Sequence, residues 1–242
     1  MFEDVRAWYA GAAALRMAMV FSPGYVHPDE FFQAQEVAAV RMHSLGVDLA
    51  WEFKGAAPCR AGIVPYLSAE LPYRAATAAA AWIGCSPPAW LMLVAPRLLA
   101  LALSLLVDVA AARLASVVGA SQGGVLLTLA TAWPMFLLHT RPFSNTYESV
   151  LFALLLVLAL APPRAVPSFV TSFVFGGLLS LAVFFRFTIL LFALPLLIPL
   201  LTPFLPHTLR IWLWGWSNGP IRRLQRRESD PGNGDQRARG EG

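Results

Sequence analysis

The run WLMLVAPRLLALALSLLVDVAAARLA, residues 90–115, constrains this chain more than any other stretch. Arg97, Asp108 and Arg113 are its only charged residues. A helix needs roughly 20 mostly apolar residues to cross the hydrocarbon of a bilayer, and this run exceeds that. Further apolar runs lie at 123–139, 147–161, 168–185 and 187–205. Two weaker ones lie at 7–22 and 63–84, the latter holding Pro65, Glu70, Pro72 and Arg74. If 63–84 is helical, Glu70 and Arg74 stand at i, i+4 and can pair. The chain is 57% hydrophobic and 13% charged, where a soluble domain carries about 25% charge. The expectation is an all-α polytopic membrane protein, a bundle of apolar helices.

The remaining polar sequence is confined to a few places. Residues 24–62 form the one sizeable polar segment before the C-terminal end. HTRPFSNT (139–146) and PPRAVP (162–167) are short joints. These features divide the chain into a membrane module over 1–216 and a polar tail over 217–242, rich in Gly, Arg and Asp and expected to be disordered. The start is a poor signal peptide, because Glu3 and Asp4 are acidic and Arg16 breaks the apolar stretch. Residues 7–22 read instead as a short first membrane helix, with Arg16 facing other helices or snorkelling. Arg97 and Asp108 sit in one apolar run but are about three helical turns apart, so they cannot pair with each other.

The net charge of +4 is concentrated among the arginines after residue 221. No zinc-finger spacing or basic-aromatic platform is present, so nucleic acid is not an expected partner. Cys59 and Cys85 form no CxxC pair, which argues against a metal site. The apolar segment between them argues against a disulfide. If the N-terminus is cytosolic, residues 24–62 are lumenal; seven crossings would then leave the basic tail lumenal too, against the positive-inside tendency. A non-crossing 63–84 segment, or a tail foreign to the parent topology, would remove that conflict.

The chemistry is expected in GYVHPDEFFQ, residues 24–33. Pro28 suits the first turn of a helix and the acids favour its positive end, so 29–46 is expected as an amphipathic helix ended by Gly46. Asp29, Gln33 and Glu36 then share one polar stripe at i, i+4, i+7, while Glu30 points to a neighbouring face. Phe31 and Phe32 can anchor that helix in the interface. Acidic residues at a helix start are also ordinary capping chemistry. A carboxylate at the water interface is nevertheless well placed to deprotonate a hydroxyl beside a lipid-borne substrate. His27 can cap the helix or orient Asp29. Trp51 and Phe53 can stack on sugars or sit in an aromatic belt.

HPDEFFQ (27–33), WEF (51–53), CR (59–60), PRLLALALSLLVD (96–108) and TRPFSNTYE (140–148) together resemble the endoplasmic-reticulum mannosyltransferases of glycosyltransferase family 22, in the GT-C superfamily. The resemblance covers roughly 15–205, corresponding to the N-terminal half of family members. Within the family it points to enzymes that extend the glycan of glycosylphosphatidylinositol (GPI) precursors. It implies a GT-C-like transmembrane bundle in the endoplasmic reticulum membrane, with the first loop lumenal. The implied reaction is an inverting α-1,2 transfer of mannose from dolichyl-phosphate mannose to the third mannose of a GPI glycolipid, without a metal or sugar-nucleotide cofactor. Asp29 matches the catalytic acid of the first loop, with Glu30 beside it. His27, Gln33, Arg60, Arg141 and Asn145 are the candidate substrate-binding residues. Arg60, Arg97, Arg141 and Arg186 are the cations available to the leaving phosphate. A shortened, non-catalytic membrane isoform or regulatory subunit is the alternative. A transporter lined by Arg97 and Asp108 is disfavoured by the HPDEFFQ block.

Overall fold

In the computed structural model of the protein, residues 2–43, 46, 48–55, 59–160 and 169–197 are described. Every regular element among them is helical. The expected tail at 217–242, and the second half of the run at 187–205, lie outside the described residues.

The first helix, α1, spans Phe2–Val20. A loop leads to α2, Pro28–Glu30, which passes through a π turn at Phe31–Gln35 into α3, Glu36–His43. A 3-10 turn, Trp51–Phe53, comes next. The weak run at 63–84 is helical: α4, Ile63–Pro65, a second π turn at Tyr66–Glu70, and α5, Leu71–Trp82. That π turn has a covalent cause. Pro72 has no N–H to offer the Ser68 carbonyl four residues back and its ring crowds that oxygen, so the ladder opens just upstream. Glu70 and Arg74 do pair, with Arg74 Nη2 at 2.7 Å from Glu70 Oε1.

The long helix α6, Ala89–Val118, is the central strut. At about 1.5 Å per residue, its 30 residues reach about 45 Å, more than the roughly 30 Å of bilayer hydrocarbon. It ends at Gly119, whose φ of 73° is the left-handed conformation that closes helix C-termini, and Ala120 N–H reaches back to the Ala115 carbonyl at 2.8 Å. Among the described residues it is the one helix both long and apolar enough to cross a membrane; Ser144–Leu160 and Phe169–Phe185 are apolar but shorter.

The expected span at 123–139 is two helices, α7, Gln122–Thr131, and α8, Trp133–Leu137. Ala132 is extended between them (ψ 122°), and Pro134 falls in the first turn of α8, where its missing N–H goes unneeded. Then come α9, Ser144–Leu160, α10, Phe169–Phe185, and the short α11, Ile189–Ala193.

α6 packs against α1, α5, α7 and α9, and α9 in turn against α10 and α11. Around the α9–α10 seam Val64, Leu151, Ala182 and Ile189 are buried together, and the Tyr147 and Phe185 rings stack with centroids 5.3 Å apart. Ala34, Ala38, Ala69 and Tyr73 form a second cluster, whose small side chains let the loop helix approach the 63–82 segment closely. Large apolar side chains also face outward, among them Trp8, Trp82, Phe169, Phe173 and Phe184. Such a surface is one that water does not favour.

Charges inside the apolar helices pair between elements rather than along one helix. Arg16 on α1 donates to Asp108 Oδ2 on α6 at 2.7 Å, and Tyr9 donates to the same oxygen at 2.7 Å. Arg16 therefore faces the bundle rather than snorkelling. Asp108 finds its cation on α1 and Arg97 finds its anion in the first loop, so the two do not pair with each other.

Candidate active site

The two neighbouring acids of the HPDEFFQ block are sent in opposite directions. Glu30 is fully buried, whereas the Asp29 side chain is 46% exposed. A helical step of about 100° per residue accounts for the divergence. One carboxylate points into the bundle and the other out of it.

Glu30 lies between two guanidinium groups. Arg97 Nε on α6 donates to Glu30 Oε1 at 2.7 Å, and Arg141 Nη1 reaches the same oxygen at 3.2 Å. The other carboxylate oxygen accepts from Val26 N–H at 3.3 Å. Both arginines also grip the end of α1 and the loop after it. Arg97 donates to the Ser22 carbonyl at 2.6 Å and the Gly24 carbonyl at 2.9 Å. Arg141 donates to Ser22 Oγ at 2.5 Å, Gly24 carbonyl at 3.1 Å and Met19 carbonyl at 3.3 Å. All three charged side chains are withdrawn from water. A buried ion pair persists only with this degree of hydrogen bonding, because each charge has lost its hydration. Arg97 also stands over the Tyr25 ring, 5.6 Å from its centroid.

Asp29 lacks such a cage. His27 caps the helix, its Nδ1 accepting from Asp29 N–H at 3.2 Å, and lies 3.7 Å from Asp29 Oδ1. The His27 ring meets Phe143 edge-on, with centroids 6.4 Å apart. The HPDE turn and the TRPFSNT turn therefore touch at their surface as well as through Glu30 and Arg141.

The expected polar stripe of Asp29, Gln33 and Glu36 is broken. The π turn at 31–35 inserts a residue into the helical register and rotates the downstream side chains by about one residue's step. Asp29 stays outside. Gln33 turns to Arg60, which donates to its Oε1 at 2.6 Å and is ion-paired to Glu52 at 2.6 Å. Glu36 is buried. Of the candidate binding residues, Gln33 and Arg60 are thus brought together, and His27 adjoins Asp29. Arg141 is buried with both terminal nitrogens engaged by protein groups, while its Nε has no hydrogen-bond partner among the described residues. Asn145 is exposed and hydrogen-bonded to the guanidinium of Arg186, which also lies 3.5 Å from Glu148. Arg60 and Arg186 are partly exposed, unlike Arg97 and Arg141.

Sequence reasoning passed over Tyr25 and the carbonyls at 19, 22 and 24. Tyr25 donates to Gln35 Oε1 at 3.2 Å. Burial, and then the Glu30 carboxylate, push its phenol above the ordinary range, so it remains a donor. The carbonyls have no signal in the sequence; any loop supplies them.

Fold and site together define, among the described residues, an all-helical protein of apolar helices that presents one half-exposed acid beside a buried, doubly paired one. The chain belongs to the Alg9-like mannosyltransferase family, whose sequence profile matches residues 7–214. It is 37% identical to human GPI alpha-1,2-mannosyltransferase 4 over 204 residues, 78% of this chain and 35% of that protein. It is 32% identical to GPI mannosyltransferase 4 of Drosophila melanogaster over 60% of this chain and 22% of the relative. The Schizosaccharomyces pombe GPI mannosyltransferase 4 is 28% identical over 72% of this chain and 33% of its own length. The chain therefore spans about a third or less of the length of these relatives. No solved structure matches it.

Proposed function

We propose that this chain carries the acid-base portion of an α-1,2-mannosyltransferase that moves mannose from dolichyl-phosphate mannose to the third mannose of a GPI precursor. The helices form a polytopic bundle in the endoplasmic reticulum membrane, with residues 24–62 in the lumen. The outward apolar side chains and the length of α6 support the membrane setting. The relatives' names support the reaction class.

The observation that carries the reading is the split between Asp29 and Glu30. Glu30, with Arg97 and Arg141, fixes the loop; Asp29 is held at the surface as an available base. Asp29 accepts the proton of the attacking mannose hydroxyl. A new bond forms from that oxygen to the anomeric carbon, while the carbon–phosphate oxygen bond breaks through an oxocarbenium-like state. Dolichyl phosphate leaves with the electron pair, and the β-linked donor becomes an α-linked product. Arg60 with Gln33, and Arg186 with Asn145, are the partly exposed donors suited to the phosphate. In this reading Glu30 and Arg141 are positioning residues rather than groups that touch substrate.

The chain is to be expressed in cells lacking the fourth-mannose enzyme, and their GPI intermediates resolved by mass spectrometry. A four-mannose lipid that disappears with Asp29→Asn supports the proposal. A four-mannose lipid that persists in Asp29→Asn removes Asp29 as the base. Absence of the product from the unaltered chain counts against an activity complete within these residues.

A further inference from the structure

Three charged side chains meet where the end of α3 approaches the 63–82 segment. Arg74 on α5 donates to Glu70 Oε1 through Nε at 3.0 Å and Nη2 at 2.7 Å. Arg41, in the last turn of α3, stands 4.0 Å from Glu70 Oε2 and donates to the Gly62 carbonyl at 3.2 Å. Glu70 is buried, while the Arg41 and Arg74 side chains are 47% and 57% exposed. One carboxylate serves two guanidinium groups, so one positive charge is left over at the surface. Arg74 Nη1 and Arg41 Nε and Nη2 have no hydrogen-bond partner among the described residues. Gly62 is part of the arrangement, because a β-carbon built on it would overlap the Arg41 guanidinium.

The packing along α6 gives the depth of this cluster. Arg97 binds the Ser22 and Gly24 carbonyls, just past the end of α1. From Arg97 to Val118 the helix rises about 32 Å, which matches the roughly 30 Å of bilayer hydrocarbon. Leu103 of α6 packs against the cluster that holds Val64, and Met92 against the one that holds Tyr73. The 63–82 segment therefore climbs beside α6 from within that slab towards the start of α6. Met92 stands five residues before Arg97, about 7 Å outside the slab, in the headgroup layer. Arg74 adjoins Tyr73 at this depth. Ile63, Tyr66 and Leu71, nearer the hydrocarbon on the same segment, are exposed.

We propose that Arg41 and Arg74 form a site for the phosphate of an anionic bilayer phospholipid, whose chains lie along Ile63, Tyr66 and Leu71. Guanidinium groups match phosphate oxygens in geometry and charge. The surplus charge favours an anionic headgroup over a zwitterionic one, and the apolar residues below it favour a lipid over a free anion. The bound lipid would bridge α3 to the 63–82 segment, which otherwise meet through Ala34, Ala38 and Ala69. This is not the phosphate that leaves during transfer. Arg41 lies twelve residues, about 18 Å, along the continuous helix from Asp29, whereas the leaving phosphate is bonded to the carbon under attack beside that base.

The test titrates the detergent-purified full chain with phosphatidylglycerol and phosphatidylcholine of identical acyl chains and counts bound lipid by native mass spectrometry. One phosphatidylglycerol should bind about fivefold more tightly than phosphatidylcholine, the factor to which about 1 kcal/mol for one surplus arginine converts. Arg41→Gln and Arg74→Gln should each abolish the preference. Gly62→Ala keeps every charge but displaces the Arg41 guanidinium, so it should lower the preference without deleting an ion-pair partner. Arg113→Gln removes an exposed arginine near the other end of α6 and should leave the preference intact. Equal binding of the two lipids by the unaltered chain would overturn the proposal, as would an equal loss in Arg113→Gln. Displacement of phosphatidylglycerol by an equal concentration of inorganic phosphate would overturn it, and one-for-one displacement by dolichyl phosphate would hand the arginines to the substrate instead. The membrane setting is taken from the proposed function; mannosyl transfer does not enter. A chain that stays monodisperse without detergent removes that setting, whereas a detergent-bound chain with no headgroup preference removes this site alone.

Discussion

Arg97 Nε donates to Glu30 Oε1 at 2.7 Å across a sequence separation of 67, and neither side chain is exposed. Arg141 shares that oxygen from the far side. One carboxylate therefore holds together the first loop, the central helix α6 and the turn that precedes α9. Its buried charge also makes it vulnerable. Glu30→Gln keeps the shape but leaves two guanidinium groups buried without their counter-charge, and breaking a buried pair costs about 3–5 kcal/mol. Melting of the detergent-purified chain should fall by about 6–20 °C by the scaling for chains of this size. Lys54→Ala, which removes an exposed pair to Asp48, is the control and should move the melt little. Equal melting of Glu30→Gln and the unaltered chain would show that the buried pair contributes nothing to stability.

Asp29→Asn should behave in the opposite way. The side chain is half exposed and, among the described residues, engages no guanidinium or ammonium group, so stability should stay within about 0.5 kcal/mol. Mannosyl transfer, if Asp29 is the base, should fall about 10²–10⁴-fold. The informative quantity is the pair of results. Lost transfer with an unchanged melt identifies a chemical role; a parallel fall in both identifies a structural one.

How much of this was legible in the sequence depends on the reach of the interaction. The α6 helix could be read because one continuous apolar run specifies it. The Glu70–Arg74 pair could be read because four residues along a helix are neighbours whatever surrounds them. The HPDEFFQ block, being a local pattern, pointed to the family. What could not be read is which acid turns inward. That depends on Arg97 and Arg141, which are distant in sequence, and on carbonyls that carry no residue signature. The stripe of Asp29, Gln33 and Glu36 failed for a subtler reason: periodicity assumes an unbroken α register, and one π turn shifts it. The run at 123–139 is interrupted at Ala132, just before Pro134, whose preference for a first turn starts a new helix within the apolar stretch.

The tie between α1 and α6 allows a cleaner measurement than single deletions. Arg16 and Asp108 are 2.7 Å apart and 1% and 2% exposed. Arg16→Leu alone strands a buried carboxylate, and Asp108→Leu alone strands a buried guanidinium; each should lower the melt strongly. The double variant removes both charges, so it should recover much of the loss. A double-mutant cycle on melting free energies should give a coupling of about 0.5–3 kcal/mol. Strictly additive losses would mean that the two groups stabilise the bundle through other partners.

The loop helix also depends on the absence of bulk. Ala34 and Ala38 pack with Ala69 and Tyr73, and Ala38 and Ala69 are completely buried. Ala38→Leu adds three carbons where no space exists, and overpacking of this kind costs about 1–3 kcal/mol. The added volume must push α3 away from the 63–82 segment, and α3 is continuous through the π turn with the short helix carrying Asp29. A shift of about 1 Å in a reacting group can cost about 10²-fold in rate. Ala38→Leu should therefore lower the melt and reduce transfer together, while Ala38→Gly, which adds no volume, should keep transfer at a modest helix-propensity cost of about 1 kcal/mol. Melting curves and GPI-intermediate profiles on the same preparations decide it. Normal stability and full transfer in Ala38→Leu would show that these helices do not meet as closely as their small residues imply.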